Sequence, residues 1–426
     1  MPAPDFCAID FGTSNSAVAI PHHEGGMRLI ELEPGQRTMP TAVFYFTEGR
    51  DDRDGPPRAF GRAAMAAYVE GIDGRLMRSM KSILGSNLID QTTDVGGGRG
   101  AKYADIVAGY LKRLRRLAGE PERVVLGRPV FFVDEEPERD AQAQAALEAA
   151  AHAVGFTEVH FQYEPIAAAF DYESQISAER LVLVADCGGG TSDFSVVRVG
   201  PARMGRLDRR DDILANHGVH IAGTDFDRHI ELASILREFG YRALGPVRAD
   251  GTQREVPSGI YFDLATWHLI NTVYSPQRLA EFRAMKSFYA EADHHRRLMT
   301  VLEERLGHEL ASRAEGAKIA VSGGGDAQID LGHVERGLTV ELSEATAVGA
   351  LDADLARIVQ AARDTVQQAG LKPAQIDALY FTGGSTGLTM LADRIAAEFP
   401  QAEAVRGDRF ASVATGLGLH AARLFA

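Results

Sequence analysis

One motif is written twice in this chain. AlaIleAspPheGlyThrSerAsn (8–15) and ValAlaAspCysGlyGlyGlyThrSerAsp (184–193) each end an apolar run in Asp, turn through Gly and Thr-Ser, and return into a second apolar run. An apolar run, a Gly-bearing polar turn and a second apolar run read as a β-hairpin. Two copies predict a duplicated βββαβα unit, with the two turns facing each other over a cleft. The 426 residues leave room for this, since a domain takes roughly 100–200 residues.

The surrounding pattern is mixed α/β. Residues 102–118 place Ile106, Val107, Tyr110, Leu111, Leu114 and Leu117 on one face of an amphipathic helix. Residues 61–70 and 74–84 carry helical spacing. Residues 36–46 predict a strand pair broken at Pro40, and 90–101 a Gly-rich loop. VVLGRPVFF (124–132) reads as a buried strand, 137–154 as an Ala-rich helix, and 164–174 as a helix with Pro165 near its start. Residues 223–335 are mostly helical, with long helices over 278–315. IAVSGGGDAQIDL (319–331) reads as strand–turn–strand, 343–369 as a helix, and 376–386 as a strand entering a Gly-rich turn.

Composition narrows the function classes. The net charge of −14 disfavours non-specific nucleic-acid binding. No apolar run reaches the ~20 residues that span a bilayer. Two cysteines, Cys7 and Cys187, exclude a disulfide scaffold or cysteine zinc site and favour a reducing cytoplasm. The His294-His295-Arg296-Arg297 run and the basic runs 74–81 and 112–116 read as solvated helix faces.

Three segments supply the small residues that let backbone N–H groups approach phosphate oxygens: Gly12-Thr13-Ser14-Asn15, Gly188-Gly189-Gly190-Thr191 and Gly383-Gly384-Ser385-Thr386. Each follows an apolar strand. Singly they are ordinary turns; together they point to a nucleotide. Asp10 and Asp186, where the strands meet the turns, suit a Mg²⁺ that keeps most of its waters. Asp193 could hold a metal-bound water or cap its own loop.

These residues carry a family resemblance. AIDFGTSNSAVAI (8–20) and ADCGGGTSDFSVV (185–197) are similar to the two phosphate motifs of the Hsp70 nucleotide-binding domain, within the actin/hexokinase/Hsp70 superfamily. YEPIAAAF (163–170) resembles the segment joining the lobes, and YFTGGST (380–386) the adenosine motif. Fainter matches are MKSILGS (80–86), RPVFF (128–132), AGTDFD (222–227) and EGAKIAVS (315–322). The resemblance is strongest to the short YegD-type proteins, which consist of this domain alone.

It implies an actin-like ATPase fold of two ribonuclease H-like lobes. Lobe I would be 1–180 (core 1–22 and 103–180, peripheral 23–102). Lobe II would be 181–426 (core 181–222 and 336–426, peripheral 223–335). No peptide-binding domain is expected. The cofactors implied are ATP/ADP and Mg, and the partners a J-domain or nucleotide-exchange protein. Lys81 falls on the catalytic lysine and Glu164 on the water-orienting glutamate. Asp10, Thr13, Ser14 and Asn15 would hold phosphates and, through water, Mg²⁺. Asp186, Gly188, Gly189, Gly190, Thr191 and Asp193 match the second phosphate loop. Glu315, Lys318 and Ser322 match the ribose and adenine side chains, and Gly383, Gly384 and Ser385 the wall of that pocket.

Ile319 and Gly387 stand where the family often stacks arginines on adenine, and Phe410 where an Asp is usual. Cys187 is a small buried hydrophobe or a redox-sensitive thiol. An Hsp70-type ATPase is the first expectation. A nucleotide-gated or assembling protein with little hydrolysis is the second, and a small-molecule kinase the third.

Overall fold

The computed structural model describes residues 4–22, 26–51, 55–133, 136–407 and 412–425. β1 (Phe6–Phe11) turns into β2 (Asn15–Pro21), and β3 (Met27–Leu29) and β4 (Thr38–Pro40) both pair with β2. The chain then leaves this sheet. β5 (Ala42–Phe46), β6 (Arg58–Phe60) and β7 (Gly74–Arg78) form a separate sheet, with α1 (Gly61–Val69) packed on it. Residues 36–46 are therefore not one strand pair, since β4 and β5 belong to different sheets.

Nor is 74–84 a helix. Strand pairing to β5 claims 74–78, Ser79 adopts a left-handed φ of 55°, and Met80–Ile83 makes one 3₁₀ turn. The Gly-rich stretch is a hairpin, β8 (Thr92–Asp94) with β9 (Gly100–Lys102). Gly96, Gly97 and Gly98 supply its positive φ values.

α2 (Tyr103–Leu117), β10 (Arg123–Arg128), α3 (Pro137–Ala153), β11 (Glu158–Tyr163) and α4 (Glu164–Glu173) follow. Ile106, Val107, Tyr110, Leu111 and Leu114 of α2 are buried, as their spacing predicts. The second half repeats the plan. β12 (Arg180–Cys187), β13 (Ser192–Val199) and β14 (Ile213–Val219) come first. Then come α5 (Gly223–Ala233), α6 (Gly259–Leu264), α7 (Pro276–Ala284), α8 (Ala292–Glu303) and α9 (Gly307–Ser322). The hairpin β15 (Ala327–Asp330) and β16 (Thr339–Leu342) precedes α10 (Glu344–Gln368), β17 (Ala378–Thr382), α11 (Thr389–Glu398), β18 (Glu403–Arg406) and α12 (Ser412–Leu424).

Residues 319–322 thus end α9 rather than forming a strand, and the region 278–315 is divided among α7, α8 and α9. His295 is a buried core residue whose Nε2 lies 2.9 Å from the Phe282 carbonyl, not part of a solvated face.

The two large sheets share one topology. Their orders are β3-β2-β1-β10-β11 and β14-β13-β12-β17-β18. In each, the first two pairings are antiparallel and the last two parallel. The duplication read from the two hairpins is therefore a duplication of whole sheets. α12 packs on β1, β2, β3 and β10, and crosses α4, which also touches β12 and β13. The chain's last described helix thus covers the sheet built by its first strands. Among the described residues, no helix is long and apolar enough to cross a membrane.

Candidate nucleotide site

The hairpin register places both aspartates. Asp10 pairs with Ala17, and Asp186 with Asp193 on one side and Thr382 of β17 on the other. They lie within β1 and β12 rather than at the strand ends. The first turn is too tight for a side chain at Gly12, where a Cβ would run into the Asn15 carbonyl. In the second, the Gly188 N–H donates to the Thr191 carbonyl at 2.9 Å, and Thr191 Oγ1 donates to Asp193 Oδ2 at 2.7 Å.

The turns converge as expected. A Cβ on Gly189 would stand 2.7 Å from Ser14 Oγ, so the two hairpins meet. Ser385 Oγ donates to the Gly188 carbonyl at 2.6 Å, bringing in the third segment. A Cβ on Gly383 would stand 2.5 Å from Asp186 Oδ1. The start of α5 joins them, with Thr224 donating both its N–H and Oγ1 to the Gly189 carbonyl at 2.9 Å.

Lys81 and Glu164 also meet. Lys81 Nζ lies 2.5 Å from Glu164 Oε1, with only 10% and 14% of the side chains exposed. Lys81 comes from the 3₁₀ turn after β7, and Glu164 opens α4. Gly127 of β10 makes the room, because a Cβ there would stand 3.2 Å from Glu164 Cγ. Sequence reading assigned no part to Gly127. Its signal, a lone Gly inside an apolar strand, marks a close approach.

The electrostatics centre on Asp10, Asp186, Glu164 and Lys81. Burial, reinforced by Glu164, pushes the Asp10 carboxyl up to about 8, with Lys81 opposing. Burial, reinforced by Asp193 and Glu164, pushes Asp186 up to about 7. Burial disfavours the Lys81 charge, yet Glu164, Asp10 and Asp186 outweigh it and hold the ammonium above its usual range. One ammonium thus faces three carboxylates. Those carboxyl oxygens, beside turns lined by backbone and hydroxyl groups, fit a divalent cation carried in with phosphates, which would favour their ionised forms.

The residues expected around the ribose and adenine sit on α9. Glu315, Lys318, Ile319 and Ser322 recur at helical spacing on one face. Glu315 and Ile319 are exposed. Lys318 is anchored, its Nζ 2.7 Å from Asp227 Oδ1 and 3.5 Å from the Gly223 carbonyl. Burial raises Asp227 to about 6 despite Lys318. Asp227 lies in the faint AGTDFD match, but its partnership with Lys318 was invisible without the fold. Ser322 Oγ donates to the Ile319 carbonyl at 2.6 Å, and Gly384 and Gly387 bound a 3₁₀ turn. Cys187 is fully buried and burial pushes its thiol up to about 12, which suits a core residue and opposes the reactive-thiol alternative. Phe410 lies outside the described residues.

The comparisons with known proteins return one family. The family model described as Hsp70 protein matches residues 104–243. The chaperone protein DnaK of Thermosipho melanesiensis is 28% identical over 302 residues, covering 66% of this chain and 46% of that protein. The chaperone protein DnaK of Thermotoga maritima is 30% identical over 231 residues, covering 52% of this chain and 34% of that protein. These matches support an Hsp70-family nucleotide-binding domain. Its paired sheets are those of the actin-like ATPase fold. The match spans less than half the length of these curated relatives. In this domain the three Gly-rich turns come together, while Lys81 and Glu164 pair beside the two aspartates.

Proposed function

We propose that this domain binds ATP between its two hairpins and hydrolyses it to ADP and phosphate. The observation that carries the reading is the Lys81–Glu164 pair, set beside Asp10 and Asp186. The Gly12–Asn15 and Gly188–Thr191 turns would hold phosphates, with Gly383, Gly384, Ser385, Glu315, Lys318 and Ser322 around the nucleoside. Asp10 and Asp186 would hold Mg²⁺ through water; when bound, it neutralises phosphate charge. Water attacks the γ-phosphorus in line, and the bond from phosphorus to the β,γ-bridging oxygen breaks. Glu164 orients the water, and the Lys81 ammonium stabilises charge on the transferring group.

A kinase needs a carboxylate base poised for a substrate hydroxyl. Glu164 is already ion-paired, which favours water as the acceptor. The remaining proposals follow the resemblance: lobes dividing near residue 180, membership of the short YegD-type subclass, a J-domain or exchange partner, and a cytoplasmic setting suited to two free buried cysteines.

Lys81→Ala and Glu164→Ala should each lower phosphate release about 10²–10³-fold, the usual cost of one well-aimed charge. ATP should still raise the melting temperature of both variants. Wild-type turnover in Lys81→Ala would refute the assignment.

A further inference from the structure

Away from the phosphate-facing turns, the two halves of the chain touch through an aromatic clasp. Tyr68 of α1 stacks on Trp267, with ring centroids 4.8 Å apart and planes 28° apart. The Arg78 guanidinium lies 4.5 Å from the centroid of the same indole. Buried His308, in the first turn of α9, packs at 5.3 Å from Tyr68 and 5.1 Å from Trp267. Asn271 Nδ2 donates to the Tyr68 carbonyl at 3.4 Å.

The clasp joins the two segments that carry opposite sides of the site. Arg78 ends β7, Ser79 turns the chain at φ 55°, and Lys81 follows in the 3₁₀ turn. Fixing the Arg78 side chain fixes the strand end from which the Lys81 turn departs. On the other side, His308 anchors the start of α9, the helix that carries Lys318 and Ser322. Ring stacking and a cation over an indole face are both geometry-dependent contacts, so they favour one relative placement of these segments.

We infer that Trp267 is a positioning residue: by holding Tyr68 and Arg78, it sets the end of β7 so that Lys81 meets Glu164. This rests on the proposed role of Lys81 in ATP hydrolysis. The ring partners of Trp267 are Tyr68, His308 and Arg78. Without Trp267, α9 keeps its own buried face of Leu310, Ala314, Ala317 and Val321, so the loss should act through β7 on the chemical step and spare nucleotide affinity.

The test is single-turnover hydrolysis of MgATP, with ATP affinity measured separately by calorimetry. Trp267→Ala should lower the single-turnover rate about 10- to 100-fold, because misplacement by about 1 Å costs on that order. Its ATP Kd should stay within about threefold, since uniform binding is untouched. Trp267→Phe, which keeps a stacking ring, should restore most of the rate, and Tyr68→Leu should reproduce the loss from the other side. Tyr68→Leu also carries the test if Trp267→Ala does not fold. Because Trp267 is the sole tryptophan, its fluorescence in the wild-type protein should change in Tyr68→Leu.

A wild-type rate in both Trp267→Ala and Tyr68→Leu overturns the inference, as does a loss that Trp267→Phe fails to rescue. Absence of ATP turnover in the wild-type protein overturns the ATPase reading and this inference together. Turnover in the wild-type protein with Trp267→Ala and Tyr68→Leu both unaffected overturns this inference alone.

Discussion

Asp10 shows how a buried carboxyl costs stability. Its carboxyl is pushed up to about 8, so the folded ligand-free protein holds that proton more tightly than the unfolded chain does. The sign follows by linkage. The stability tied to this proton is fully present below the unfolded value of about 4 and is lost as pH climbs toward the folded one. Asp10→Asn removes the titration. The ligand-free variant should melt above the wild type by several degrees at pH 8, and by much less at pH 5. Differential scanning calorimetry at the two pH values checks this, and an equal difference at both would contradict the raised carboxyl. A second residue matters differently. Arg209 is fully buried between Glu173 and Asp212, with guanidinium N–O distances to Glu173 of 2.8 and 3.0 Å. Nothing in the local sequence marks that network, because its members come from α4 and from the loop before β14.

At the scale of elements, the crossing of α4 and α12 is set by one glycine. A Cβ on Gly416 would fall on the Ala167 backbone carbonyl, so the helices approach at a distance no other residue permits. Gly416→Val should cost about 1–3 kcal/mol or more in urea unfolding, as overpacking of a rigid contact does. Gly349, exposed on α10 with open space around it, is the control. Gly349→Ala should gain about 0.5–1 kcal/mol from helix propensity. A helix such as α2 was legible because its apolar period runs through four turns and faces one core. The strands β7, β8 and β9 were not, because three to five residues carry no usable period. Their conformation comes from the partner strand, which the sequence does not name.

At the scale of the whole molecule, the repeat of the Asp-Gly-Thr-Ser hairpin was legible and correctly implied two sheets of one topology. The meeting of Lys81 with Glu164, 83 positions apart, was reached through motif resemblance and not through spacing. The Lys318–Asp227 and Tyr68–Trp267 pairs escaped because no local pattern ties one partner to the other. Such long-range pairs matter because the proposed ligand would belong to both halves at once. If one ATP bridges the Gly12–Asn15 and Gly188–Thr191 turns, its binding energy is linked to the folding of both. At a hundredfold excess over Kd, MgATP should add about 2.7 kcal/mol. Hydrogen exchange should slow together at 12–15, 188–191 and 383–385, which come from β1–β2, β12–β13 and the turn after β17. Protection confined to the first turn would place the nucleotide on one sheet alone. That result would leave the duplication standing as architecture and remove it as the basis of the site.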